Sequence, residues 1–319
     1  MTDNAEYDVL VIGACGFLGS QIVSAGTERG LSVLAVDRPG TDPFRLQHYA
    51  PDCVRADFDI TASIEALTAM LGRARAVINC AAYGVDYRQR DLETALQVNV
   101  LASVNLLKAA AATHTRMVHV GTAYEYGPSS AVQCESDCLA PRGIYGVSKA
   151  AGTLALLDAG ATLGADIVVM RPFGMYGPLE GTHKLIPLVM RSQMAGEPLN
   201  LTPGEQIRDY VYVGDVARAC LDAACAERFP SGRILNVCSG VELTLRAFVE
   251  AAAKAAGDKL NLLHWGTHPY REDEVMRILG NNGEIRKVLG WTPTVTLHDG
   301  MERTALAERE RLARETAGR

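Results

Sequence analysis

Tyr145 and Lys149 are the pair of side chains with the clearest chemical potential. They begin and end the segment YGVSK, and residues four apart share one face of a helix. A free tyrosine has a pKa near ~10 and is a poor acid or base at neutral pH. A neighbouring lysine cation would stabilise the phenolate and lower that pKa. The pair therefore predicts proton exchange with a hydroxyl or carbonyl group.

Thr122 is the third candidate for the same chemistry. It directly follows the apolar run 117–121, and the ends of such runs form the ligand-binding edge of open α/β sheets. Its hydroxyl could hydrogen-bond the oxygen that exchanges a proton with Tyr145. Tyr-x-x-x-Lys alone is common on helix surfaces, so the prediction depends on the combination.

A glycine-rich loop, GACGFLG (13–19), follows the first apolar run and begins a helical pattern. Gly13 permits a tight turn, Gly16 lets a pyrophosphate approach the backbone, and Gly19 allows the helix to pack closely on the strand. The unpaired amides of the helix would meet the phosphates. The predicted contacts of a dinucleotide are Gly13, Gly16, Phe17, Leu18 and Gly19.

Asp37 ends the second apolar run, 18 residues after Gly19. A carboxylate there can accept hydrogen bonds from the adenosine ribose, which favours NAD over its 2′-phosphorylated form. Arg38 could instead hold a 2′-phosphate. The sequence therefore predicts NAD as the cofactor and leaves NADP open.

The elements that must position these residues alternate along the first half of the chain. Apolar runs typical of parallel strands cover 7–13, 31–37, 76–80, 117–121 and 167–171. Helical periodicity covers 17–29, 61–71 and 91–112, and another helix begins near Tyr145. This alternation predicts an α/β fold with a Rossmann-type, doubly wound parallel sheet.

The composition of the chain changes after Pro172, where Pro and Gly become frequent. This change predicts loops and short elements. Helices are expected near 215–227, 244–256 and 299–314, with a strand at 234–237. We predict a dinucleotide-binding domain over residues 1–172. A smaller C-terminal α/β substrate lobe over 173–319 is expected to be interleaved with it.

The composition excludes several classes of protein. The 319 residues carry a net charge of −6, whereas a nucleic-acid-binding protein would normally have a basic face. Apolar runs of about five to seven residues fall short of the ~20 that span a bilayer, and the polar N-terminus shows no secretory signal. Of the eight cysteines, only Cys134 and Cys138 suggest a metal, and they lack a second ligand pair. We expect a cytoplasmic protein that binds no metal, nucleic acid or membrane.

The ordered motifs resemble those of the extended short-chain dehydrogenase/reductase superfamily, in particular its nucleotide-sugar members. The resemblance covers nearly the whole chain and is specific for the superfamily, although it does not choose the reaction. The motifs are GACGFLG (13–19), NCAA (79–82), QVNV (97–100), GTAYEYG (121–127), YGVSK (145–149), RPFGMYGP (171–178), IRDYVYVGDVARA (207–219) and LGWTPTV (289–295).

The resemblance implies a role for each matching residue. The catalytic set would be Thr122, Tyr145 and Lys149, with Tyr145 and Lys149 also contacting the cofactor. Further cofactor contacts would come from Asp57 and Phe58 at the adenine, with Asp59 as an alternative alignment, and from Ala81, Ala82 and Pro172. Substrate contacts would come from Thr122, Ala123, Tyr124, Tyr145, Gly174, Lys184, Arg208 and Arg271.

Two further features of the implied site concern its partners. Arg208 and Arg271 match positions that clamp a nucleotide-sugar pyrophosphate, for which planar guanidinium groups are well suited. In relatives, helices corresponding to 91–112 and 145–164 pair with their symmetry mates. The resemblance therefore implies a nucleotide-diphosphate sugar as substrate and a homodimer as the assembly.

Departures from the family pattern narrow the expected reaction. Sugar 4,6-dehydratases carry an acidic pair directly after the catalytic threonine, where this chain has Ala123 and Tyr124, and Glu125 should point elsewhere. Decarboxylases of UDP-glucuronate usually have glutamate at the Tyr124 position, and 3,5-epimerising reductases have cysteine there. Many 4-epimerases have asparagine in place of Gly174. The segment 183–213 looks most like that of reductases acting on NDP-4-keto-6-deoxyhexoses.

The sequence thus predicts an NAD(P)-dependent oxidoreductase that reduces the C4 ketone of a nucleotide-linked deoxyhexose in nucleotide-sugar biosynthesis. One alternative is a redox-neutral NDP-sugar 4-epimerase with tightly bound NAD, which the same three residues could serve and Asp37 favours. Another is a non-catalytic dinucleotide-binding sensor, disfavoured because both Tyr145 and Lys149 are present.

Overall fold

All six runs predicted as strands enter one parallel sheet. The structure, a computed structural model, describes residues 5–86, 88–270 and 274–317. The strands are β1 (Tyr7–Ile12), β2 (Val33–Asp37), β3 (Val54–Asp57), β4 (Ala74–Asn79), β5 (Arg116–Val120), β6 (Ile167–Pro172), β7 (Gly174–Tyr176), β8 (Leu199–Asn200), β9 (Ile207–Arg208), β10 (Tyr210–Tyr212), β11 (Arg233–Val237), β12 (Leu243–Thr244), β13 (Leu263–His264) and β14 (Arg277–Ile278).

Helices separate these strands. They are α1 (Phe17–Glu28), α2 (Phe44–Tyr49), α3 (Ile64–Leu71), α4 (Leu92–Leu96), α5 (Ser103–Thr113), α6 (Gly143–Leu163), α7 (Leu185–Ala195), α8 (Val213–Ala224), α9 (Leu245–Ala256), α10 (Gly283–Leu289) and α11 (Leu297–Ala317). A π-helical segment, Gln97–Ala102, joins α4 to α5, and short 3-10 turns occur at Ala123–Glu125 and Leu260–Leu262.

The main sheet has the order β11-β6-β5-β4-β1-β2-β3, with every pair parallel. Buried side chains of α1 and α8 cover one face, and those of α3, α5 and α6 cover the other. The predicted doubly wound Rossmann-type fold is confirmed. Because the strand order reverses between β1 and β4, the ligand crevice of such a sheet lies at the carboxyl ends of these two strands.

Residues after 172 contribute to two different hydrophobic cores. Strand β11 pairs with β6 in the main sheet, and α8 packs against α1. The helices α7, α9 and α11 instead share a separate core that includes Met190, Phe248 and Met301. The domain boundary at residue 172 remains a prediction.

Leu92–Thr113, the helical stretch made of α4, the π segment and α5, is long and apolar enough to cross a membrane by length and composition alone. The sequence prediction, based on short apolar runs, did not anticipate this. Within the fold 44% of that stretch is buried, and Leu106 and Leu107 lie in the sheet's core. A core helix of this kind passes the same test, so the feature is weak evidence for a membrane.

Candidate active site

The phosphate loop has the close contacts that its glycines predict. Gly13 has a φ of +77°, and a Cβ added to it would lie 3.0 Å from the Ala81 nitrogen. A Cβ at Gly19 would lie 2.1 Å from the Gly13 oxygen. Gly16 begins α1 with no side-chain cap, and the first turn has no acidic residue. The amides of the helix N-terminus are thus available to an anion, so the loop fits a dinucleotide pyrophosphate.

Asp37 is fixed beside this loop. One carboxylate oxygen accepts the N–H of Cys15 at 2.9 Å, and the other accepts the N–H of Arg38 at 2.8 Å and the hydroxyl of Thr41 at 3.0 Å. The side chain of Arg38 is exposed. The carboxylate is therefore placed where a ribose hydroxyl would meet it, with a cation next to it on the surface.

The predicted adenine contacts lie at the neighbouring strand end. Asp57 stands opposite Asp37 in the β2–β3 register, and the N–H of Phe58 donates to the Asp37 carbonyl at 2.8 Å. The alternative residue, Asp59, accepts the N–H and hydroxyl of Thr61 at 2.8 and 2.7 Å. Its carboxylate stabilises a local turn, so Asp57 and Phe58 are the better placed pair.

Ala81 and Ala82 follow β4 directly across from the phosphate loop. The N–H of Ala81 donates to the side chain of Asn79 at 3.1 Å, which fixes the loop against Gly13. Pro172, the remaining predicted cofactor contact, is buried at the end of β6 and pairs with Val237 of β11. These three residues lie at strand ends on the carboxyl edge of the sheet.

Thr122 and Tyr145 come together at the same edge. Thr122 lies two residues after the end of β5 and caps the Ala123–Glu125 turn by accepting the Tyr124 N–H at 3.3 Å. The Tyr145 phenol is half-buried, and burial raises its pKa, an effect that a hydrogen bond with Thr122 partly opposes. The rings of Tyr124 and Tyr145 lie 6.4 Å apart. The threonine and the phenol therefore face one small volume.

Lys149 is buried and held by the end of β5. Its Nζ donates to the Val120 carbonyl at 2.7 Å and lies 3.1 Å from His119 Nε2. The other ring nitrogen of His119 lies 3.3 Å from Asn79 Nδ2. Burial and the Lys149 charge hold the pKa of His119 well below its usual value, so the imidazole is neutral and can accept from the ammonium.

The expected effect of Lys149 on Tyr145 is not what this structure shows. The ammonium makes its hydrogen bonds with β5, and burial raises the pKa of Tyr145 above its usual value. Burial also lowers the pKa of Lys149 to about 8, while the charge of Glu125 raises it. The sequence argument was wrong here because it considered the spacing of the pair and not the polar groups of β5.

Glu125 points away from the crevice, as expected. It is fully buried, and its carboxylate accepts the Thr122 N–H at 2.9 Å and the Nε of Arg171 at 2.8 Å. Ala123 is buried and Tyr124 is half exposed at the site. No acid thus occupies the two positions where a dehydratase carries its pair.

The structure gives the surroundings of three further predicted substrate residues, Gly174, Lys184 and Arg208. A Cβ at Gly174 would lie 2.9 Å from the Asp209 carbonyl, so the close approach of β7 to β10 leaves no room for an asparagine. Lys184 Nζ donates to the Val85 carbonyl at 3.1 Å. Arg208 forms an ion pair with Glu274 at 2.9 Å. Arg271 lies outside the described residues.

Three polar residues beside the site were assigned no role from the sequence. Asn99, in the motif QVNV, bonds the Tyr83 backbone and the Ser148 hydroxyl, and so ties α6 to the loop after β4. His119 and Glu125 complete the polar surroundings of Lys149 and Thr122. For His119 and Glu125, the sequence signal that could have identified them is a polar residue inside an apolar strand or turn.

A surface pocket of about 630 Å³ lies elsewhere, beside the edge strand β11. Glu135, Arg233 and Glu284 are among its lining residues, and it contains no member of the predicted site. The chemistry of the strand ends, and not pocket size, locates the candidate active site.

Comparisons with known proteins identify the family of the chain. The model of the NAD dependent epimerase/dehydratase family matches residues 9–238. A dTDP-6-deoxy-L-talose 4-dehydrogenase (NAD(P)(+)) of Kitasatospora kifunensis is 31% identical, covering 93% of this chain and 94% of that protein. A UDP-glucose 4-epimerase of Mycolicibacterium smegmatis is 29% identical, covering 92% and 96%.

A solved structure extends the likeness to three dimensions. The dTDP-glucose 4,6-dehydratase of Streptomyces venezuelae, with NAD and TYD bound, superposes with a TM-score of 0.85 at 28% identity, covering 96% of this chain and 98% of that one. The chain belongs to the NAD dependent epimerase/dehydratase family, which lies within the extended short-chain dehydrogenase/reductases. It is an NAD(P)-dependent, nucleotide-sugar modifying enzyme.

Proposed function

We propose that this enzyme reduces the C4 ketone of a nucleotide-linked deoxyhexose. The observation that carries the proposal is the meeting of Thr122 and Tyr145 at a strand end, where Ala123 and Tyr124 occupy the two positions of a dehydratase's acidic pair. Glu125 is buried in its ion pair with Arg171, so it is not free to remove water from a neighbouring carbon. The named activity of the Kitasatospora relative, a 4-dehydrogenase of a deoxysugar nucleotide, supports oxidoreduction at C4.

The chain's own residues manage the oxygen and its proton. The phosphate loop and Asp37 would hold NAD(P)H, whose chemistry would supply a hydride for C4. Tyr145 gives its proton to the oxygen that becomes negative, and Thr122 donates a hydrogen bond to the same oxygen. Lys149, which lies four residues after Tyr145 on α6, would contact the cofactor. Donors arranged in advance around the developing charge account for much of the expected acceleration.

A redox-neutral NDP-sugar 4-epimerase is the second candidate. Asp37 favours it, because its carboxylate is fixed for a ribose hydroxyl, and an epimerase retains NAD. The crowded Gly174 is unfavourable, since asparagine stands there in many 4-epimerases. We infer a preference for NAD over NADP from Asp37. Equal affinity for the two cofactors would contradict that preference and assign the 2′-phosphate to the exposed Arg38.

We also infer a homodimer formed through α4 to α6. Large apolar side chains on these helices are exposed, among them Leu101 at 55% and Leu154 at 58%. Single exposed leucines are ordinary, but several on adjacent helices indicate an interface. Light scattering should give twice the mass of 34.2 kDa, and Leu154→Glu should lower it. A monomer at micromolar concentration would contradict the inference.

The test of the reaction is a panel of NDP-4-keto-6-deoxyhexoses and NDP-hexoses, followed by nicotinamide absorbance and product NMR. Reduction predicts net loss of NAD(P)H on a ketosugar. Epimerisation predicts no net redox change and stoichiometric NAD in the purified, unsupplemented protein. Turnover on neither class of substrate would refute both.

Tyr145→Phe tests the proton donor. Turnover should fall by about 10²-fold or more, while NAD(H) affinity stays within a few-fold, because the ring remains. Tyr7→Phe is a matched control, since that phenol lies at the amino end of β1 and contacts Arg73 at 3.4 Å. Wild-type turnover in Tyr145→Phe would show that another group is the acid.

A further inference from the structure

A buried ion pair lies beneath the turn that carries Thr122. The side chains of Glu125 and Arg171 are 0% and 1% exposed, and Oε2 and Nε lie 2.8 Å apart. The other carboxylate oxygen accepts the Thr122 N–H at 2.9 Å. A Cβ at Gly121 would lie only 2.5 Å from that oxygen. The carboxylate thus links β6 to the end of β5, directly behind the threonine hydroxyl.

Stability alone does not explain this arrangement. Two charges removed from water cost several kcal/mol each, and apolar pairs of similar size are often as stable. Arg171 Nη1 and Nη2 are buried and have no hydrogen-bond partner among the described residues. Its guanidinium instead lies 4.6 Å from the centre of the Tyr126 ring. The structure therefore retains a costly buried ion pair directly beneath the Thr122 turn.

We propose that Glu125 is a positioning residue for proton transfer, whose buried carboxylate fixes the Thr122 turn and places a negative charge behind Tyr145 and Lys149. The inference rests on the proposed function, in which Tyr145 gives a proton to the C4 oxygen. Glu125 acts through these other groups and touches no substrate atom.

The groups facing Lys149 and Tyr145 support this role. His119 and the Val120 carbonyl approach Lys149 from β5, and Cys80 approaches it from the end of β4. Burial lowers the pKa of Lys149 to about 8, and the Glu125 charge raises it.

Thr122, Tyr124 and Glu125 face Tyr145. Burial raises the pKa of Tyr145, the Thr122 hydrogen bond lowers it, and the Glu125 charge raises it. Glu125 thus favours the protonated form of both groups.

The direct test is the titration of Lys149 by NMR in the full chain with labelled lysine side chains. The sequence has six lysines, and Lys149→Met assigns the resonance. In Glu125→Gln the amide oxygen can still accept the Thr122 N–H, but the charge is lost. The Lys149 midpoint should fall by roughly 0.5 to 1 unit, less than for a charge in direct contact.

Glu135→Gln is the matched control. That carboxylate is also partly buried and near Arg171, but it bonds the Asn236 N–H at 2.8 Å and does not face Lys149. Its removal should leave the Lys149 midpoint unchanged. If Glu125→Gln does not fold, the double variant Glu125→Gln/Arg171→Met removes both charges of the pair. The Lys149 midpoint should then fall in the same direction but by less, because loss of the Arg171 cation offsets part of the effect.

The pH profile of turnover gives a second readout. The limb governed by Tyr145 should move to lower pH without the Glu125 charge, whereas Glu125→Asp should keep its position. An unmoved Lys149 midpoint in a folded variant would overturn the proposal and leave Glu125 a purely structural residue. Because the NMR titration needs no turnover, it remains decisive even if every sugar substrate fails.

Discussion

Gly19→Ala should separate α1 from the phosphate loop. The added Cβ would lie 2.1 Å from the Gly13 oxygen, 2.8 Å from its carbonyl carbon and 2.9 Å from Ala14 Cα. Close carbon–oxygen contacts in proteins are about 3.3 Å, so helix and loop must part by about 1 Å. All three obstructing atoms are backbone atoms, which cannot rotate away. Overpacking of this kind costs about 1–3 kcal/mol of folding free energy.

Cofactor binding should suffer as well. Hydrogen bonds from helix amides to a charged phosphate contribute about 1.5–3 kcal/mol each, and the displaced helix would misalign them. Because ~1.4 kcal/mol corresponds to a factor of ten, we expect NAD(H) affinity to fall by about 10- to 100-fold. Isothermal titration with NAD and NADH measures the affinity, and urea denaturation measures the stability.

Gly26→Ala is the control on the same helix. Its Cβ would meet a side chain, Val33 Cγ2 at 2.9 Å, which can shift, and alanine favours a helix by about 1 kcal/mol over glycine. Affinity for NAD(H) should stay at the wild-type value. Wild-type affinity in a folded Gly19→Ala variant would refute the assignment of this loop as the phosphate site.

Two further predictions concern charge. The pKa of Lys149 is about 8 in the folded protein and ~10.4 in the unfolded chain. Between these pH values the unfolded chain binds more protons than the folded protein. The free energy of unfolding of the wild type should therefore rise with pH in this range. Denaturation of wild type and Lys149→Met from pH 7 to 11 should show the wild type gaining relative to the variant, and a constant difference would contradict the buried ammonium. Glu274→Gln should free Arg208 from its ion pair and tighten binding of dTDP or UDP by about two- to fivefold, the ~0.5–1 kcal/mol of a partly exposed pair. Calorimetry that shows weaker binding would make Glu274 part of the nucleotide site.

The fold was predictable because the buried strands are visible in the sequence as apolar runs. β1 and β4 are buried along nearly their whole lengths, so parallel strands read as continuous apolar runs. β3, with the sequence VRAD, lies at the sheet edge and is mostly exposed. It has neither an apolar run nor a clear alternation, and the sequence gives no reason to prefer a strand there.

The site residues likewise divide into those that local sequence predicts and those whose contacts depend on the fold. The glycines of the phosphate loop were predictable because their backbone contacts depend on local spacing. The hydrogen bonds of Lys149 with His119 and Val120 connect residues about 30 positions apart, and the ion pair of Glu125 with Arg171 spans 46. Such partners are set by which strands become neighbours, and helical spacing contains no information about them.

Reduction and epimerisation make the same demand on Thr122 and Tyr145, since either reaction passes a proton between the phenol and an oxygen on C4. They differ in what happens to the cofactor, which a reductase must release and an epimerase keeps. Arg45 bears on that difference: it donates to the Cys15 carbonyl in the phosphate loop at 3.3 Å and to the Leu179 carbonyl at 2.9 Å. These bonds join the cofactor loop to the segment after β7 that leads to Lys184. The catalytic residues alone therefore do not distinguish the two reactions.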